Sequence, residues 1–180
     1  MDYYRNFDQL VYCDYSQGAS GINYYVVTEP TSEPVTTEFF KKHSRIDFDT
    51  DDSLIEAYIK AARQELEQWT QLSFTVKTMG LKAKVLPDNY KLMFGPVNAI
   101  TDPATGFEVF GDIISPGGED VTIQYTTQGN QSELVRIAIC RYAAGLYIWR
   151  ENLVESKYSA SAKMDEAKRM LVPIMNITFP

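Results

Sequence analysis

The sequence predicts an α+β fold, with helices packed on a small antiparallel sheet, an extended N-terminal arm and a C-terminal tail. Three observations carry this expectation. Apolar residues recur at helical spacing over 54–69 and again over 134–149. Between those stretches, from Leu72 through the VTIQYT run at 121–126, the period falls to two. Helices therefore precede and follow a block of strands instead of alternating with them, which is the order of an α+β chain. A chain of 180 residues with 44% hydrophobic content can bury a core of its own. The expected organisation is an interaction arm over 1–34 and one domain over 35–180, whose last helix and tail occupy 160–180.

Residues 1–34 carry six tyrosines, Tyr3, Tyr4, Tyr12, Tyr15, Tyr24 and Tyr25, with SQGASG at 16–21 and EPTSEP at 29–34, and no helical periodicity. An aromatic segment of this kind needs something to lie against. Two surfaces are available to it: the domain's own sheet, joined as an edge strand, or a neighbouring subunit. Pro34-Val35 then leads into a threonine cap at 36–37 with Glu38 in the first turn, where its charge suits the helix dipole. That short helix ends near Arg45.

The stretch RIDFDTDDSLIEAYIKAARQELEQWT at 45–70 places four aspartates just ahead of a long helix. Leu54, Ile55, Tyr58, Ile59, Ala62, Leu66 and Trp69 fall on one face, and Glu56, Lys60, Arg63, Gln64, Glu67 and Gln68 on the other. Ser53 and Glu56 have capping-box spacing, and Thr50, Asp51 and Asp52 are equally able to cap. Next, Leu72, Phe74 and Val76 alternate with polar residues. After Met79-Gly80, Leu81, Ala83 and Val85 do the same, and Tyr90, Leu92 and Phe94 follow until Gly95-Pro96. VNAI, FEVF and VTIQYT read as further strands, with SPGGED as a turn before the last. The run QSELVRIAICRYAAGLYIWREN is apolar nearly all round, so it predicts a helix buried on several sides. A stripe of Ala160, Met164, Ala167, Leu171 and Ile174 marks a shorter helix that Pro173 ends or kinks.

The chemistry classes narrow quickly. A net charge of −7 and a pI near 4.8 leave little counterion-release energy for a sequence-independent nucleic-acid clamp. Cys13 and Cys140 stand far apart without a metal-ligand or redox spacing, and read as free thiols in a reducing cytosol. The start MDYYRNFDQL does not read as a signal peptide, and no stretch reaches the ~18 apolar residues of a membrane span. Asp47, Asp49 and Asp51 match the first ligands of a calcium loop, but Asp52 stands where that loop needs glycine and Tyr58 where it needs glutamate. His43 has no signalled nucleophile or orienting partner. Gly117 and Gly118 lack the lysine of a phosphate loop and read as a hairpin turn. Arg136, Arg141 and Arg150 are expected to pair with local carboxylates. No catalytic, cofactor-binding or metal-ligating residue is expected.

Pro34-Val35-Thr36, Arg45-Ile46-Asp47, Asp51-Asp52, Ala61-Ala62-Arg63, Glu67 and Thr70, followed by strands and by Trp149-Arg150-Glu151, resemble the head-tail connector (adaptor) proteins of tailed bacteriophages. The resemblance runs over about residues 30–175. It departs at Gln71, where a glycine often follows the threonine, and in the length of the arm. It implies a structural virion protein and no enzyme: a ring of identical subunits, usually a dodecamer, beneath the portal protein. Such a ring extends the channel for double-stranded DNA, without sequence-specific binding, and presents a docking surface to the tail or to second neck-ring proteins. It implies a place at the neck of a virion made in the host cytoplasm, with no membrane partner. On that reading the interface candidates are Tyr3, Tyr4, Tyr12, Tyr15, Tyr24 and Tyr25 in the arm and Met170, Leu171, Ile174, Met175, Ile177 and Phe179 in the tail. The rival readings are another neck or tail-completion ring protein and a small carboxylate-dependent hydrolase.

Overall fold

The computed structural model describes residues 15–16, 21–103, 105–150 and 154–175. The fold is α+β with antiparallel sheets. The chain divides into two compact units, a sheet unit built from residues up to Thr31 together with Val76–Gln128, and a helical unit built from Ser32–Thr75 and 129 onward. Each has its own apolar core.

The sheet unit contains β1 (Tyr15–Ser16), β2 (Ile22–Thr28), β3 (Thr78–Leu86), β4 (Tyr90–Lys91), β5 (Val97–Asp102), β6 (Glu108–Phe110), β7 (Ile113–Ser115) and β8 (Gly118–Thr127). Five strands run in the order β1-β2-β3-β8-β5 and three in the order β4-β7-β6. Register explains the core. Tyr24 pairs with Leu81 and Leu81 with Ile123, while Ile22 pairs with Ala83 and Ala83 with Val121. These rows lie on one face of the large sheet, because side chains alternate along a strand. Leu92, Phe94 and Ile114 complete the same cluster.

Two sequence expectations change here. β3 runs straight through Gly80, because the ring of Tyr25 covers that position: a Cβ there would lie 2.3 Å from Tyr25 Cζ. The glycine pair 117–118 is not a hairpin turn, since β7 pairs with β4 and β6 and β8 pairs with β3 and β5. It is the passage from the small sheet to the large one. Gly117 lies against the backbone of Leu86 and Pro87, and its N–H donates to Asp88 Oδ1 at 2.7 Å.

The helical unit contains α1 (Thr37–Ser44), α2 (Asp52–Thr70), α3 (Glu133–Trp149) and α4 (Val154–Leu171), followed by a 3₁₀ turn at Val172–Ile174. Thr36 caps α1, its Oγ1 accepting from the Phe39 N–H at 3.2 Å. Arg45 ends α1 in the left-handed region, and the Ile46 N–H closes back on the Lys41 carbonyl at 3.0 Å. α3 buries Val135, Ala138, Ile139, Ala143 and Gly145 among its neighbours, as its all-round apolar sequence predicts. α4 is longer than the stripe at 160–174 suggests, and Pro173 falls in the 3₁₀ turn beyond its end. Residues 72–77 are not a strand. Leu72 and Phe74 instead turn into the helical core beside Ile59, Leu66 and Ile139.

α2 closes with a local device. The Thr70 hydroxyl donates to the Leu66 carbonyl at 2.7 Å and accepts from the Leu72 N–H at 3.3 Å. Gln71, the residue after it, takes φ 57°. That left-handed conformation crowds a Cβ and suits glycine. Replacing Gln71 with glycine relieves this crowding against a larger entropy loss on folding. The expected outcome is a gain of about 0.5–1 kcal/mol in urea unfolding.

Candidate functional site

The aspartate run at the start of α2 is a brace. Asp49 and Asp52 both take the Lys41 ammonium from α1, Asp52 at 2.8 Å. Asp51 accepts from the Tyr147 hydroxyl and from Arg150 Nη1, each at 2.6 Å, at the end of α3. The Arg150 guanidinium lies over the Tyr147 ring at 3.9 Å, so charge and ring share one carboxylate. Asp51 stands at the cap position of α2 without a side-chain capping bond, and its Oδ2 accepts both bonds from the end of α3. The four-way choice of cap in the sequence thus resolves into an interhelix tie. Hydrogen bonds from Tyr147 and Arg150 hold the Asp51 carboxyl below the usual aspartate range. Bonds to Asp49 and then Asp52 raise Lys41.

Deeper in the same unit lies a charge network on α2. Arg63, 1% exposed, donates through Nε and Nη2 to Glu33 at 2.6 and 3.1 Å and through Nη1 to Glu67 at 2.7 Å. The other Glu67 oxygen accepts the Phe74 N–H at 2.7 Å. Burial opposes the Arg63 charge, and the two carboxylates outweigh it, raising the group above its ordinary value. Placed on the polar face by periodicity, Arg63 and Glu67 are in fact buried together, each satisfying the other.

The two arginines within α3 pair with carboxylates, as the sequence suggests: Arg136 with Glu133, at 2.5 Å, and Arg141 with Glu166. Cys140 is buried, and burial pushes its thiol up to about 12, so it is an inert packing group. Cys13 lies outside the described residues. No group of three or more histidine, cysteine, aspartate or glutamate side chains able to hold a metal ion occurs among the described residues. No helix among them is long and apolar enough to cross a membrane.

The interface candidates divide. Tyr24 is 1% exposed: its ring meets Phe94 edge-on, its hydroxyl donates to the Tyr90 oxygen at 3.2 Å, and it accepts the Met93 N–H at 3.2 Å. Leu171 is fully buried in the helical core. Each fills its own unit's interior. Tyr25 is partly buried over Gly80, and Met170, Ile174 and Met175 are partly buried. Tyr15 pairs with Tyr24 in the sheet backbone. Tyr3, Tyr4, Tyr12, Ile177 and Phe179 lie outside the described residues. Sequence reasoning missed the exposed apolar groups on the folded units. Phe110 at the β6–β7 turn is 86% exposed, and Phe48 and Trp149, close in sequence to Asp51 and Arg150, are exposed too. Phe48 breaks its local polar pattern, whereas Phe110 and Trp149 sit in apolar runs that hide their exposure.

The chain belongs to the phage gp6-like head-tail connector protein family, whose pattern matches residues 35–176. This is a structural family, and the protein is not an enzyme. Two solved structures are similar. One is the "Neck of empty GTA particle computed with C6 symmetry", at TM-score 0.61 and 16% identity, covering 81% of this chain and 94% of that one. The other is the "Virion of native gene transfer agent (GTA) particle", at TM-score 0.60 and 17% identity, with the same coverages. No curated protein matches.

Two outcomes follow from the ion pairs. Arg63→Met leaves two carboxylates without their cation, and the expected loss is about 3–5 kcal/mol in urea unfolding; a loss below about 1 kcal/mol would show that the network does not brace the unit. For Asp51, a lowered folded-state pKa contributes stability above the unfolded value, and that contribution is lost as pH falls through the folded value. Asp51→Asn should therefore be less stable than the parent at pH 7, with the gap closing under acid. Equal gaps at pH 7 and pH 3 would contradict this.

Proposed function

We propose that the protein is a neck subunit that forms a closed ring beneath the portal, extends the DNA channel and offers a docking surface to the tail. The observation that carries this reading is the connector-family match over 35–176, joined by the likeness in fold to a neck structure. A closed ring uses a heterologous interface, so every subunit needs two different complementary patches. An aromatic arm carrying Tyr3, Tyr4 and Tyr12 supplies one by reaching an adjacent copy. The tail, with Ile174, Met175, Ile177 and Phe179, meets the portal. Twelve subunits are compatible with a six-fold operator such as the one used for the similar neck. A net charge of −7 suits a conduit, because walls that repel phosphate let DNA slide.

The test is electron microscopy of the purified chain mixed with its cognate portal. A ring capping the narrow end of the portal is the expected result; a chain that stays separate from the portal overturns the proposal. The tail is best probed by removing 176–180 alone, since a cut at 165 also removes Ala167 and Leu171 from the helical core. The shortened chain should fold, fail to bind the portal and give particles that leak DNA.

A further inference from the structure

The helical unit holds an open cavity of about 320 Å³ where the end of α1 faces α3 and α4. His43, Ser44, Arg45 and Lys163 line it, with Ala144 and Ile148 as an apolar wall. Most of the other cations on these helices have answering carboxylates: Lys41, Lys42, Arg136, Arg141 and Lys168 are paired, as is Arg150 just beyond α3, while Arg169 near the end of α4 is exposed and has no carboxylate partner among the described residues. Arg45 and Lys163 meet in one cavity and have no carboxylate partner among the described residues. The carbonyl end of α1 explains the basic residues of its own last turn. It does not explain Lys163, which arrives from α4.

Two further observations point to a ligand. The Ser44 hydroxyl is buried with no hydrogen-bond partner among the described residues, a costly state unless something takes it up. His43 is held below the usual histidine range by burial and then by the charges of Arg141 and Lys163, so both reach the imidazole. Arg141 is already paired with Glu166. The net result is local positive charge, a free hydroxyl and an apolar wall within a chain of net charge −7.

We infer that this cavity binds one oxyanion group, a phosphate ion or a carboxylate side chain, with Arg45 and Lys163 supplying charge and the Ser44 side chain, whose hydroxyl is otherwise closed off, turning outward to add a hydrogen bond. The carboxylate source would be another copy of this chain, and only that branch rests on the ring reading.

His43 is the only histidine in the chain, so its imidazole resonances report on the site without assignment ambiguity. The full chain is titrated with inorganic phosphate and, separately, with acetate, both against chloride at constant ionic strength. Binding places negative charge beside His43, which favours the protonated ring, so its pKa should rise. A saturable shift is expected, weakened at least about tenfold in Lys163→Ala and in Arg45→Ala. Both side chains lie at the surface of the unit, and unchanged circular dichroism establishes that the variants fold. In the assembly arm, Lys163→Glu is mixed with the portal: loss of rings while Lys163→Ala still forms weakened ones identifies a neighbouring carboxylate as the source. A saturable phosphate shift with unaffected rings identifies the free ion. Anion responses that are linear, or equal in the parent and Lys163→Ala, together with normal rings from Lys163→Glu, overturn the inference.

Discussion

The helical unit depends on a single buried guanidinium. Arg63 sits among groups that would each be costly to bury alone: two carboxylates and a backbone N–H at a chain turn. Glu33 lies where the chain enters this unit and Phe74 where it leaves, and both are fixed to the same stretch of α2. A hydrophobic cluster of the same size would be as stable or more so. What the charges add is position, because a fork-shaped donor accepts its partners only in a narrow set of geometries. The entry and exit of the chain are set by α2, and α1 and the segment after α2 are placed from there.

A second layer of fixing lies at the unit's surface. Lys41 joins α1 to the start of α2, Asp51 joins α2 to the end of α3, and Lys168 joins α4 to Glu65 on α2 at 3.1 Å. Individually such exposed pairs are worth little. Their use is that each crosses between two helices, so together they restrict sliding that apolar packing alone permits. Asp49, Asp51 and Asp52, which look like part of a ligand set when read along the chain, are dispersed in space to two different cations, Lys41 on α1 and Arg150 just beyond α3.

How much of this could be read beforehand depends on which force sets each element. α2 and α3 were legible because burial on one face, or on all faces, imposes a helical period on the sequence. The α1 cap was legible because a threonine oxygen acts on a backbone N–H three residues away. Alternation from Leu72 to Val76 misled because a period of two says that successive residues face opposite ways, and a loop folding back on a helical core does the same. The length of α4 was hidden because its first turns carry little apolar signal. At the site, the motif residues Arg63 and Glu67 were visible, but their burial was not: a charged residue reads as a solvated face until its partner, 30 positions away at Glu33, is known.

The same distinction explains what the family resemblance encodes. Ala62, Arg63, Glu67 and Thr70, which carry much of it, are all buried, and each acts on the interior or the end of α2. Arg45 carries another part and terminates α1. These residues specify the shape of the unit. A chain can therefore keep the fold while the rest of its sequence drifts, since interior geometry asks for few residue types at few positions. If the chain forms the proposed ring, partner choice is written on the outside, in groups such as Phe48 and Phe110 that the signature does not include. Exposed aromatics on a braced unit are what the proposed assembly requires: a rigid unit presents its own patch identically in every copy, and a closed ring forms only when the patch geometry repeats.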